Sequence, residues 1–182
     1  TYDCGDFPKN LEDALAKADY KGFEKRARES AKRGKLRGIG VSNTVEASNV
    51  GLIEHAELRF DPGGSITVLV GAHDHGQGHQ TAFRQIVSEK LGIDPSRINV
   101  KWGDTDQIAI GTGTFGSRSM VACGTAILQA AKKIVDKGTK VAAHLMEAGE
   151  HDIEFKDGKF TVAGTDKSID MAQIARDSFM PA

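Results

Sequence analysis

The stretch Val68–Ile93, VLVGAHDHGQGHQTAFRQIVSEKLGI, decides the fold. It opens on an apolar run, turns through Gly76-Gln77-Gly78-His79, and continues with Phe83, Ile86, Val87 and Leu91 at helical spacing. A strand that feeds a glycine turn and then an amphipathic helix is the simplest reading. Glycine lets the main chain approach a ligand closely. A helix start offers N–H groups and a partial positive charge. A second glycine-rich turn, Gly111-Thr112-Gly113-Thr114-Phe115-Gly116-Ser117-Arg118-Ser119, leads into a long apolar-periodic stretch, Met120–Met146. Two such turns in one small chain predict the two halves of a cradle for a phosphate-bearing cofactor.

Outward from these turns, Leu11 to Ala31 reads as helix, with Gly22 as a break and Gly34 as the stop. Gly38 to Ala47 alternates like a strand. Leu52–Phe60 and Ser65–Val70 flank Asp61-Pro62-Gly63-Gly64, which predicts a hairpin. Pro95 starts a turn, Ile98–Trp102 is a short strand, and Gly138 is a candidate bend in the long helix. Ile153–Phe155 and Lys159–Val162 flank Asp157-Gly158, a strong hairpin signal. Ile169–Ser178 is a final helix, capped by Asp170 or Ser168. Antiparallel hairpins in a mixed sheet, packed with two main helices, predict an α+β fold. The organisation is a single piece over residues 1–182: a helical lead-in at 1–37, a core with both glycine turns at 38–148, and a hairpin with the terminal helix at 149–182.

Acidic and basic residues are interspersed and sum to a net charge of −1, which argues against nucleic acid or an anionic membrane as the main partner. No apolar run approaches the length of a membrane span. Cys4 and Cys123 lack CxxC spacing, so no iron–sulfur or zinc site is read, and the reducing cytoplasm is the expected location. Opening on Thr1 and closing on Phe179-Met180-Pro181-Ala182, the chain is expected to be a piece of a longer polypeptide.

Gln77, between two glycines, carries an amide that both donates and accepts, which suits the donor–acceptor edge of a pterin. Gly116, Ser117, Arg118 and Ser119 stand where serine hydroxyls, N–H groups and a guanidinium bind a pyrophosphate; an ordinary serine cap with a solvated arginine explains the same residues. His73, Asp74, His75 and His79 raise the question of a metal. His73 and His75 share a face if extended, but the turn separates His79 and no acidic ligand is clearly placed, so no metal site is assigned. Asp104-Thr105-Asp106 reads as a strand-end turn rather than an acid–base pair. A Rossmann-type turn is the rival reading. GQGHQT lacks the third glycine, no acidic residue stands on a following parallel strand, and the upstream hairpin fits poorly with a βαβ unit.

DHGQGHQTAFRQIVSEKLGI, the strand INVKWGDTD and GTGTFGSRSM, in that order, resemble the large subunit of the molybdenum hydroxylases, the xanthine dehydrogenase/aldehyde oxidase superfamily. The GTFGSRS form is most similar to the aerobic carbon monoxide dehydrogenase branch, and the resemblance runs from TYDCGDF to near Glu147. It implies a fragment of a molybdopterin-binding domain, in which Gly76, Gln77, Gly78 and His79 contact the cofactor. Phe115, Gly116, Ser117, Arg118 and Ser119 would grip the pterin and dinucleotide phosphates. It further implies molybdopterin cytosine dinucleotide carrying molybdenum, and oxidation or hydroxylation of a small substrate (carbon monoxide, an aldehyde or a heterocycle) with oxygen from water. The implied partners are a medium subunit holding FAD and a small subunit holding iron–sulfur clusters.

The family's active-site loop falls upstream of the matched region, and Cys4 stands in a different context from that loop's cysteine. The family's catalytic glutamate lies in a Gly-Glu motif toward its C-terminus. Gly149-Glu150 follows the long helix directly and is no substitute. No catalytic residue is assigned, and the chain alone is expected to be inactive and to hold cofactor weakly or not at all. The alternative is a self-standing, non-redox domain that binds a nucleotide or a partner protein.

Overall fold

The computed structural model describes residues 4–46, 51 and 53–179. Ala47 and Leu52, the ends of two expected strands, lie outside the described residues. The chain forms two compact units, Thr1–Glu46 and Ala47–Ala182.

In the first unit, α1 (Phe7–Lys17) begins on Asp6, whose carboxylate accepts the Lys9 N–H at 3.0 Å, with Pro8 in the first turn. The expected break falls at Asp19–Gly22. Asp19 takes a left-handed φ of 47°, and its carboxylate accepts the Gly22 N–H and pairs with Arg26. The second helix, α2 (Phe23–Ala31), ends just before Gly34 at φ 68°. The strand expected from Gly38 does not form: residues 35–46 have no regular structure. Alternation sets two faces but supplies no partner for the main-chain N–H and C=O groups, and a lone strand in water has no stability.

The second unit is built on β1 (Ala56–Phe60), β2 (Ile66–Val70), α3 (His79–Leu91) and β3 (Ile98–Trp102). The β1–β2 hairpin closes through Asp61, whose main-chain N–H donates to Ser65 O at 3.0 Å while its carboxylate accepts the Ser65 N–H at 3.1 Å. β2 pairs antiparallel with β1 and parallel with β3, Val68 standing opposite both Leu58 and Val100. A βαβ crossover is therefore present, against the sequence expectation. The hairpin and the crossover coexist because β2 is the central strand, and its near-continuous burial follows from that place.

Phe83, Val87 and Leu91 of α3 pack onto this sheet and against α4 (Ser119–Met146), which contributes Cys123, Ile127 and Ala131. A second, antiparallel sheet follows: β4 (Ile153–Lys156), β5 (Lys159–Val162) and β6 (Ser168–Asp170). Asp157 and Gly158, at φ 49° and 78°, make the expected tight turn. The last helix, α5 (Met171–Asp177), is shorter than expected because Ile169 pairs with Phe160 as part of β6; Asp170 caps it by accepting the Gln173 N–H at 2.6 Å. Among the described residues no helix is long and apolar enough to cross a membrane.

Gly138 does not interrupt α4. A Cβ there would stand 2.5 Å from Cζ of Phe160, a fully buried ring. Helix propensity favours alanine over glycine by about 1 kcal/mol, but the ring has nowhere to go, and overpacking costs about 1–3 kcal/mol. Gly138→Ala is accordingly expected to lower stability in urea denaturation. A stabilised variant would contradict the close packing of Phe160 on α4.

Candidate functional site

The two glycine turns meet. At the end of β2, Gly71 lies so close to Gly111 that a Cβ on Gly71 would fall 2.2 Å from the Gly111 Cα, and one on Gly111 would fall 2.5 Å from the Gly71 Cα. Two residues beyond Gly71 and three beyond Gly111, Thr114 Oγ1 accepts the His73 N–H at 2.9 Å and donates to His73 O at 2.7 Å. One side chain of the second turn thus completes the main-chain hydrogen bonding of the first. Ser119 Oγ donates to Thr114 Oγ1 at 3.2 Å, so the start of α4 is tied into the same junction.

The first turn is organised by Asp74. Its carboxylate accepts the N–H groups of Gly76 (2.8 Å), Gly78 (3.2 Å) and Gln80 (3.1 Å). The bonds from Gln80 and Gly76, then the one from Gly78, hold the carboxyl below its ordinary range. Gly76 and Gly78 take φ values of 105° and 79°, where a side chain would be strained, and the space beside both is open. Gln77 is exposed; its Oε1 accepts the His75 N–H and its Nε2 meets His75 Nδ1 at 3.2 Å. His79 is buried instead, its ring stacked on Phe83 at 5.5 Å and its Nδ1 3.2 Å from His73 O. The His73 and His75 rings touch through their Nε2 atoms. Among the described residues no group of three or more His, Cys, Asp or Glu could hold a metal ion.

The second turn is organised by Glu54. Its Oε1 accepts the Thr112 N–H at 3.0 Å, the Thr112 hydroxyl at 2.5 Å and Arg118 Nη1 at 2.7 Å. Arg118 Nη1 also donates to Gly113 O at 3.1 Å, and the guanidinium lies over the Phe115 ring at 5.6 Å. Both side chains of the ion pair are hidden, Arg118 at 0% and Glu54 at 1% exposure. Burial works to raise the Glu54 carboxyl, but the bonds from Thr112, Arg118 and Cys123 outweigh it and hold the group below its ordinary value. Cys123 Sγ donates to the other oxygen, Oε2, at 3.4 Å. Burial, then the adjacent carboxylate, pushes this thiol up to about 12, which keeps it a proton donor and not a nucleophile.

The structure therefore joins the bases of the two turns that carry the nine expected residues, and divides those residues by exposure. Gly76, Gln77, Gly78, Phe115 and Ser117 are exposed, Gly116 is half-buried, and His79, Arg118 and Ser119 are buried. Arg118 was expected to meet a ligand's charge; its Nη1 donates to Glu54 Oε1 and to Gly113 O. Asp104 accepts the Asp106 N–H at 3.0 Å, making the strand-end turn and no carboxylate pair. Sequence reasoning missed Glu54 and the ordering roles of Asp74 and Thr114. Asp74 precedes the Gly78 N-cap by four residues, outside the spacing of an ordinary cap. Glu54 lies 64 residues from Arg118, and nothing local marks it as a partner.

The residues fit an anionic, hydrogen-bonding ligand on one side of the junction. The N–H groups of Gly76, Gly78 and Gln80 are taken by Asp74, whereas among the described residues no carboxylate caps the start of α4, whose N-cap is Arg118. The space beside Gly113 is open, at φ 92°.

Two measurements check this geometry. Gly71→Ala is expected to cost about 2 kcal/mol or more by urea denaturation, because main chain cannot swing aside as a flexible side chain would; a near-neutral variant would contradict the close approach. Asp74 and Glu54 are both more acidic folded than unfolded. Their contribution to stability is thus fully present above the ordinary carboxylate range and is lost as pH falls through their lowered folded values. Thermal melts from about pH 7 to pH 3 should show this decline, and Asp74→Asn should remove part of it. An unaltered acid limb would count against the Asp74 cap.

The sequence model of the molybdopterin cofactor-binding domain family matches residues 13–181. The carbon monoxide dehydrogenase large chain of Hydrogenophaga pseudoflava is 36% identical to this chain, over 98% of it and 24% of the relative. The nicotine 6-hydroxylase large subunit of Paenarthrobacter nicotinovorans is 34% identical, over 96% and 23% respectively. Among solved structures, reconstituted CO dehydrogenase from Oligotropha carboxidovorans superposes with a TM-score of 0.69 at 34% identity, covering 98% of this chain and 24% of that one. Quinoline 2-oxidoreductase from Pseudomonas putida 86 gives 0.61 at 26% identity, covering 97% and 25%. The chain spans about a quarter of the length of these relatives.

Proposed function

This chain belongs to the molybdopterin cofactor-binding domain family, and from that premise we propose that its two joined turns hold molybdopterin cytosine dinucleotide with molybdenum. The protein would be the large subunit of a bacterial, cytoplasmic molybdenum hydroxylase, working with a flavin subunit and an iron–sulfur subunit. Its substrate would be a small molecule of the kind its relatives are named for, such as carbon monoxide or a nitrogen heterocycle. When bound, the cofactor supplies the redox chemistry, and the protein supplies binding and orientation.

The observation that carries this reading is the polarity of the joined turns. Asp74 fills the start of α3 with a negative charge, so an anionic group is repelled from the first turn. Neutral hydrogen-bonding edges are what that turn can take. Gln77 keeps one carbonyl lone pair and one N–H beyond its bonds to His75, the pairing a pterin edge needs. The start of α4 is the complementary half. Its helix dipole and N–H groups, with the exposed Ser117 beside Gly116, suit the dinucleotide phosphates. His79, Arg118 and Ser119 support the two turns from inside, and Phe115, 47% exposed, offers an apolar face at the rim. No residue here is proposed to be catalytic, and the chain by itself is expected to show no turnover.

The test is metal and pterin analysis of the full-length subunit, purified from a host that makes the cytosine dinucleotide cofactor, beside a Gln77→Ala/Ser117→Ala variant. Molybdenum and pterin are expected in the wild type, with retention at least about tenfold lower in the variant, the loss of one or two ligand hydrogen bonds. A wild type without molybdenum from a competent host would move the domain to the non-redox nucleotide- or partner-binding role.

A further inference from the structure

Glu54 lies outside both glycine turns, yet it closes the second one. Its single oxygen Oε1 accepts from Thr112 at the start of that turn and from Arg118 at its end. The segment between them carries Gly113 and Gly116, both at positive φ. Glycine-rich chain loses much conformational freedom when it is ordered. A ligand that must order its own loop binds more weakly for that reason. Here the ordering is done beforehand by a carboxylate buried among three partners, with Cys123 on the far oxygen and Arg118 reaching back to Gly113 O.

We infer that Glu54 is a positioning residue for phosphate binding: its buried carboxylate gathers the two ends of Thr112–Arg118 and holds the loop in its binding shape before the ligand arrives. This rests on the reading of the second turn as the phosphate-binding half of the cradle. Glu54 touches no ligand itself and acts through Thr112 and Arg118. Cys123 shares the carboxylate without touching the loop and serves as the internal control.

The experiment uses the full-length subunit with three variants. Thr112→Val removes the exposed hydroxyl that binds Glu54. Glu54→Gln/Arg118→Met removes the ion pair without leaving a buried orphan charge. Cys123→Ala removes the far-side bond and a small buried sulfur but leaves Thr112 and Arg118 on Glu54. Amide hydrogen exchange over residues 112–118 is measured on cofactor-free protein, and molybdenum and pterin retention after desalting on protein from the cofactor-competent host. Thr112→Val and the double variant are expected to exchange faster across the loop and to retain about tenfold less cofactor, with Thr112→Val still melting in one cooperative transition when cofactor-free. Cys123→Ala should match the wild type in both. If the double variant does not fold, Thr112→Val decides. Faster exchange with undiminished retention, or unchanged exchange, overturns the inference. A wild type that holds no molybdenum, but whose loop is protected and loosens in the variants, fails the functional reading and leaves Glu54 as the loop's organiser.

Discussion

The main chains of Gly71 and Gly111 touch, with no room for a side chain on either. One belongs to the end of the central strand and the other to the approach to the longest helix. Their contact fixes where both glycine turns leave the core. Thr114 can then complete the hydrogen bonding of His73, and Ser119 can reach Thr114. The junction is main chain against main chain, so it tolerates no repacking. Interior packing transmits such a constraint because it leaves few voids to absorb a shift.

Two carboxylates then give the joined turns opposite characters. Asp74 turns inward on the N–H groups at the start of α3 and spends that helix's affinity for anions internally. Glu54 draws Arg118 into the protein, so a guanidinium that would have been a surface charge becomes a strut beneath the loop. Removing one member of a buried ion pair leaves the other uncompensated. In the proposed cradle, the positive end offered to phosphates is the helix dipole of α4, and Arg118 acts from behind it.

Local features of this fold were legible in the sequence. Turn residues at Asp61–Gly64 and Asp157–Gly158, and apolar spacing through α3 and α4, placed both turns and both helices to within a residue or two, although β1 starts at Ala56 and not at the expected Leu52. Non-local features were not. The alternation after Gly38 has the strand period but no partner among the described residues of its unit. The parallel pairing of β2 with β3 depends on β2 being central, which no local window contains. Ile169 joined β6 because Phe160 was there to pair with it. At the site, motif spacing located the two turns, and the family resemblance supplied the nine expected residues. It could not tell that Arg118 faces inward, because its partner lies 64 residues upstream. Exposure, which separates residues that can meet a ligand from those that brace them, is a property of the packed chain.

Both turns are proposed to grip one ligand, with the neutral edge at Gln77 and the phosphates at the start of α4. A crystal structure of the cofactor-loaded full-length subunit tests it directly. The pterin edge is expected within hydrogen-bonding distance of Gln77, the phosphates against Gly116 and Ser117, and Arg118 still paired with Glu54. Cofactor bound to one turn alone, phosphates beside Asp74, or Arg118 swung out to the ligand would contradict it.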